Sequence, residues 1–102
     1  MPGGTQRTKS PNEYVVAGEW PHVVLEDYRP ARVAQHVSRA LREAMTYREI
    51  SANALSKASE VNRQCIANVL QGRVWADMLT IASFEDTLKI MLWPVGEAEP
   101  IG

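Results

Sequence analysis

The sequence predicts a mainly α-helical bundle of four to five helices preceded by a short β-hairpin, and three observations carry that prediction. Apolar residues recur at spacings of three and four from Val33 to Met45, around Leu55 and Ile66, and again from Leu79. Residues able to cap a helix stand ahead of the last three stretches: Ser51, Asn62 and Asp77. Near the N-terminus, two β-branched runs, Val15-Val16 and Val23-Val24, flank a connection that contains Gly18. A chain of 102 residues suits one compact domain with a single modest core.

Residues 1–12 hold Pro2, Gly3, Gly4 and Pro11 among polar neighbours and read as a disordered arm. The domain is expected to occupy residues 13–94, with the hairpin in 13–28 and the helical core in 31–94. Pro21 confines the second β run to an edge or a late start, because proline lacks the ladder N–H. Pro30, with Asp27 just upstream, suits the first turn of a helix. Val33, Val37, Ala40, Leu41, Ala44 and Met45 give that helix an apolar side, and it should run for about four turns.

Ser51 comes after Ile50 and precedes Leu55, which is a capped start with a hydrophobic staple. Asn62, between Val61 and Ile66, repeats the design eleven residues later. The two starts define a short helix, a tight turn through Ser59 and Glu60, and a second helix over 63–71 that Gly72 closes with a positive φ. Asp77 opens a last helix with Leu79, Ile81, Ala82, Phe84, Leu88 and Met91 as its buried side, and Pro94 stops any continuation beyond Trp93. Leu92-Trp93 is expected to find cover against the hairpin, as a strand or as the end of that helix. Residues 95–102 read as a flexible acidic tail.

Composition excludes several classes of protein. The apolar fraction of 45% and charged fraction of 23% are ordinary for a globular domain, and no apolar run reaches membrane-spanning length. The polar start, without a secretory leader, gives an expectation of a cytoplasmic protein. A lone Cys65, with His22 and His36 far before it, builds neither a disulfide nor a metal site, so no cofactor is expected. Cys65 reads as a small packing residue and Trp20, Trp75 and Trp93 as core or interface anchors. No nucleophile with a neighbouring base, phosphate loop or paired carboxylates emerges, which argues against an enzyme.

The formal net charge of −1 hides an asymmetry. Residues 29–73 contain eight Lys/Arg against three Asp/Glu, a balance of +5, and both flanks are acidic. Phosphates respond to the local field, so a basic centre between acidic ends is compatible with a DNA-facing surface.

A short helix, a turn and a second capped helix make a helix-turn-helix, in which the second helix enters the major groove. Leu55, Ala58, Val61, Ile66 and Val69 are expected to hold the pair together. Arg63, Gln64, Ala67 and Asn68 are the expected base-contacting set, since Arg, Gln and Asn form bidentate hydrogen bonds to purine edges. Arg48, Ser51, Asn53, Lys57, Asn62, Gln71 and Arg73 are the expected phosphate contacts, with Asn62 also acting as a cap.

The run from Leu55 through Ala58, Val61, Asn62, Ile66 and Val69 to Gly72-Arg73, continued by Met78-Leu79-Thr80-Ile81-Ala82, resembles the lambda-repressor-like, or Xre-type, helix-turn-helix family. The resemblance covers about residues 31–93. It implies a lambda-repressor-like bundle, dimeric binding to palindromic operators and a role in transcriptional regulation. The chain departs from the pattern at Glu60, where the family's turn usually has glycine, and at Ala52, where many relatives carry a base-contacting glutamine. The hairpin lies outside the resemblance.

The expected partner is double-stranded DNA, bound by a homodimer on an inverted repeat with half-sites one helical turn apart. Val15, Trp20, Val24, Leu92 and Trp93 are the expected dimer contacts, because an added strand pair with open edges readily meets its twofold mate. The rival expectation is a protein-interaction module, either the antitoxin of a toxin–antitoxin pair or an adaptor of the transcription machinery.

Overall fold

The computed structural model describes residues 9–94. The described residues form a 3-10 turn (Pro11–Tyr14), strands β1 (Val15–Glu19) and β2 (His22–Leu25), and helices α1 (Arg29–Arg48), α2 (Ala52–Ser59), α3 (Arg63–Leu70) and α4 (Met78–Leu88). The architecture is therefore mainly helical, with four helices and one small antiparallel sheet among the described residues, as the periodicity predicts. Among the described residues, no helix is long and apolar enough to cross a membrane.

The expected arm over 1–12 lies outside the described residues up to position 8, and from residue 9 it differs from expectation. Pro11 is buried, Asn12 N donates to Gly72 O at 2.8 Å, and the Trp75 indole N–H donates to Lys9 O at 2.9 Å. Long-range hydrogen bonds thus fix a segment that its composition marks as loose. The expected tail over 95–102 lies outside the described residues.

The hairpin turns two residues later than the position of Gly18 suggests. β1 continues to Glu19, which pairs with His22, so the reversal consists of Trp20-Pro21, joined by a cis peptide bond. Gly18 sits inside the ladder opposite Val23 with φ +92. An extra residue, Val16, sits in the register between Val15 and Ala17. The sheet docks on α1, where the Gln35 side-chain amide donates to Pro21 O at 2.9 Å and Val23 O at 2.8 Å. Tyr14 stacks on Tyr28 at 4.6 Å between centroids, and Trp75 meets both edge-on.

Helix α1 is longer than the four turns expected: its 20 residues span about 30 Å at helical rise. Nothing between Met45 and Arg48 breaks a helix, and α1 stops only where Glu49 turns left-handed at φ 54. Ala31, Val37, Ser38, Leu41 and Ala44 are its buried residues, with Val33, Ala40 and Met45 along the flanks of the core. Leu55, Ile66, Val69, Ile81, Phe84, Leu88 and Leu92 complete that core.

Helix α4 buries Ile81, Phe84 and Leu88 as expected. Leu79 and Met91, however, are 77% and 61% exposed, and Ala82 is exposed as well. The buried stripe runs through 81, 84 and 88, and residues 79 and 82 fall on the opposite side of an 11-residue helix. Beyond Lys89 the chain folds back instead of running to the hairpin. One Glu85 carboxylate oxygen accepts the Leu92 and Trp93 amides at 2.8 and 3.1 Å, which drives Leu92 to zero exposure.

Asp77 caps α4 by accepting the Thr80 amide at 2.8 Å. That bond stabilises the ionised carboxylate and holds its pKa below the ordinary value. The stability it adds is fully present above the ordinary carboxylate value and is lost as pH falls through the lower, folded-state one. Asp77→Asn retains a capping side chain but no longer titrates. In thermal melts from about pH 6 to about pH 2, the wild type is expected to lose more stability than this variant.

Candidate nucleic-acid interface

The pair α2–α3 is built from its caps inward. Ser51 Oγ accepts the Ala54 amide at 3.1 Å and starts α2. Asn62 Oδ1 accepts the Gln64 amide at 2.7 Å and the Cys65 amide at 3.4 Å and starts α3. Between the helices only Glu60, Val61 and Asn62 intervene. Glu60 adopts φ 64, and its amide closes α2 on Ser56 O at 2.8 Å.

Two serines of α2 hold this connection. Ser56 Oγ donates to Val61 O at 2.6 Å. Ser59 Oγ donates to Leu55 O at 2.7 Å and accepts from Val61 N at 3.2 Å. The amide and the carbonyl of Val61 are therefore both satisfied from α2, which fixes the angle at which α3 departs. The spacing places Ser59 in the turn but gives Ser56 no role, because a hydroxyl inside a helix usually bonds only its own preceding turn.

Leu55, Ile66 and Val69 are buried between the helices and Val61 packs at their edge, as expected. Ala58 is exposed, contrary to expectation. The turn is closed by hydrogen bonds at Ser56 and Ser59, so no inward apolar contact is needed at position 58.

Helix α3 is held just as firmly at its other end. The last carbonyls of a helix lack intrahelical partners; here Ala67, Asn68 and Val69 O accept the amides of Gln71, Arg73 and Gly72, and more distant groups reach Val69 O and the three carbonyls after it. Ser38 Oγ, itself buried, donates to Val69 O at 2.6 Å. Arg42 donates to Leu70 O at 3.3 Å. The Asn12 side chain donates to Gln71 O at 3.0 Å, and its main-chain amide takes Gly72 O. Two elements distant in sequence, α1 and the N-terminal turn, thus fix where the helix points. Gly72 comes next with φ +70, directly beside the Trp20 indole.

The expected second helix over 63–71 is observed as Arg63–Leu70, with Gln71 as its C-cap. Four residues on and just after it form one exposed network. Gln64 Nε2 donates to Asn68 Oδ1 at 3.1 Å, Arg73 donates to the same oxygen at 3.2 Å, and Arg73 also bonds Gln71 Oε1. Gln64, Asn68 and Gln71 recur at helical spacing, so this is one polar face. Arg63 is exposed beside it, without a hydrogen-bond or ion-pair partner among the described residues, and Ala67 is half-buried.

Of the other expected phosphate-contacting residues, Arg48 ends α1, and Asn53 and Lys57 lie on α2; these and Ser51 are exposed. Among the described residues, no hydrogen bond or ion pair joins any of these four to the Gln64–Asn68–Arg73 network. The hydroxyl of Ser51 and the side-chain oxygen of Asn62 already serve as caps, so each has that much less capacity for a ligand. Cys65 is half-buried at the edge of the core, consistent with a packing residue. Among the described residues, no three His, Cys, Asp or Glu side chains gather as a metal site.

One expected dimer contact needs correction. Leu92 belongs to the monomer's own core and is fully covered. Trp20 is half-buried against Gly72, with its indole N–H buried and without a hydrogen-bond partner among the described residues. Val24 and Trp93 are exposed at 63% and 47%, and Val15 is half-buried.

Glu60 stands where left-handed backbone favours glycine, and among the described residues no hydrogen bond to its side chain compensates. Glu60→Gly is expected to raise stability by about 0.5–1 kcal/mol in urea denaturation. An unchanged or lowered midpoint would show that the carboxylate contributes something at this turn.

Comparisons with models of protein families, with curated proteins and with solved structures find no match for this chain.

Proposed function

We propose that this chain is a sequence-specific DNA-binding transcriptional regulator of the lambda-repressor-like, Xre-type kind, acting in the cytoplasm. In this reading α2–α3 is a helix-turn-helix, α3 enters the major groove, and Arg63, Gln64 and Asn68 read base edges. The observation that carries it is the hold on α3: both of its ends are fixed by named hydrogen bonds while a face rich in Arg, Gln and Asn is left to solvent. A helix that must present side chains to base edges needs a fixed direction, because misplacement forfeits bidentate contacts.

Arg48, Asn53 and Lys57 would meet phosphates on either side of the groove, and Arg73 would do so at the end of α3. We further propose a homodimer on an inverted repeat. With Leu92 committed to the core, its seam is better supplied by exposed apolar side chains, Met78 and Leu79 at the start of α4, Met91 beyond its end, or Val24 of the hairpin. Exposed apolar side chains of this kind are also what a protein-interaction module such as an antitoxin would present.

Salt separates the two readings. Binding to a mixed-sequence duplex is expected to weaken steeply with salt, with a log–log slope of about −5 if Arg48, Lys57 and Arg73 of both protomers displace counterions. A flat salt response would remove the phosphate-contact assignment.

A further inference from the structure

A cavity of about 330 Å³ opens between α1, the end of α3 and the start of α4. One wall is formed by Val33, Ala34 and Val37, and the other by Val69, Ile81 and Trp93. Sites for small molecules begin at about this size and are mainly apolar with few polar groups. The lining contains one charged residue, Arg29, and no carboxylate. Arg29 makes no ion pair among the described residues, whereas nearby Arg32 is engaged by Asp27 at 2.8 Å. The one hydroxyl in the lining, Ser38, already donates to Val69 O. An occupant therefore meets an apolar trough with a single cation and no competing anion. Arg29 is also the first residue of α1, where Pro30 has no N–H and the Ala31 and Arg32 amides bond Tyr28 O, so the cationic group at this end is the guanidinium.

We propose that this cavity is a binding site for a small amphipathic monocarboxylate, with its aliphatic or aromatic body between Val37, Val69 and Trp93 and its carboxylate at Arg29. The complementarity is one of charge and polarity together. A neutral apolar molecule draws nothing from the guanidinium, which stays in water, and a compact polar anion leaves the trough unfilled. Since Val69 belongs to α3, a bound molecule lies against the helix that the DNA reading assigns to base contact. The site itself stands independently of that reading.

The test titrates the full chain with octanoate and, in parallel, with neutral octanamide, following heat of binding and tryptophan fluorescence, to which Trp75 and Trp93 in the lining both contribute. Saturable octanoate binding is expected, at least about tenfold tighter than octanamide, the ratio for one charge-assisted contact. Arg29→Gln, an exposed change, is expected to bring that ratio to about one while octanamide binding persists. Ala34→Leu, which fills the trough, should abolish binding of both, with an unchanged circular dichroism spectrum showing that it folds. Absence of saturation up to about 10 mM octanoate would overturn the proposal. So would equal affinity for the two probes. Binding that appears only after residues 95–102 are removed would also overturn it, by identifying the chain's own C-terminal segment as the occupant.

Discussion

Gly72→Ala is expected to cost about 3–4 kcal/mol of stability, through two effects that add. The first is conformational: φ is +70 at this position, and an L side chain there costs about 1–2 kcal/mol. The second is steric, since a Cβ would lie 2.5, 2.7 and 2.9 Å from three atoms of the Trp20 indole. Overpacking of that kind costs about 1–3 kcal/mol. For a domain of this size the sum corresponds to a fall in Tm of roughly 15 °C or more. The two effects are separable. In a Trp20→Ala background the clash is gone, and Gly72→Ala should cost only the conformational part, about 1–2 kcal/mol. A cost that does not change between the two backgrounds would show that the indole is not what fixes Gly72.

The second large effect concerns recognition and not stability. Arg63 and Gln64 are exposed at the start of α3, so Arg63→Ala combined with Gln64→Ala should leave the melting curve within about 0.5 kcal/mol of wild type. Each well-formed bidentate contact to a base supplies about 1–3 kcal/mol of discrimination. Loss of two is therefore expected to reduce the preference for the chosen sequence over random DNA by at least about thirtyfold. Arg73→Ala provides the contrast: it should weaken binding evenly across sequences and lower the salt slope by about one for each bound protomer. Gln64 starts from a bond to Asn68 Oδ1, a group that Arg73 shares. Asn68→Ala is thus expected to release both neighbours as well as its own contact.

Much of the fold was legible in local chemistry. Ser51, Asn62 and Asp77 each accept a first-turn amide, as short oxygen-bearing side chains ahead of apolar runs predict. The helix ends were less readable, and the reason is specific. Only α3 is trailed by a glycine; α1, α2 and α4 end on Glu49, Glu60 and Lys89, charged residues in left-handed backbone that sequence preference disfavours. Tertiary packing outweighs that preference, and nothing in the local sequence signals it. The same limit applies to residues 9–12 and to Leu92. Asn12 looks like part of a loose end until its partner Gly72 is seen across the fold, and Leu92, expected against the hairpin, is placed instead by Glu85.

The candidate surface divides in the same way. The polar face of α3 could be read from the spacing of Gln64, Asn68 and Gln71. What holds the helix in place could not: Ser38, Arg42 and Asn12 are separated from its carbonyls by 31, 28 and 59 positions. The hairpin is likewise partly engaged within its own chain, through Gln35 and Gly72, and only its outer face is open to a partner.

The most direct test of α3 as a DNA-reading helix is selection from a random duplex library at moderate salt, with the wild type and the Arg63→Ala, Gln64→Ala variant run side by side. The wild type is expected to enrich an inverted repeat with half-sites about one helical turn apart, and the variant, folded to the same degree, is expected not to. Equal enrichment by both proteins, or none by the wild type, would contradict the assignment of α3 as the helix that reads DNA.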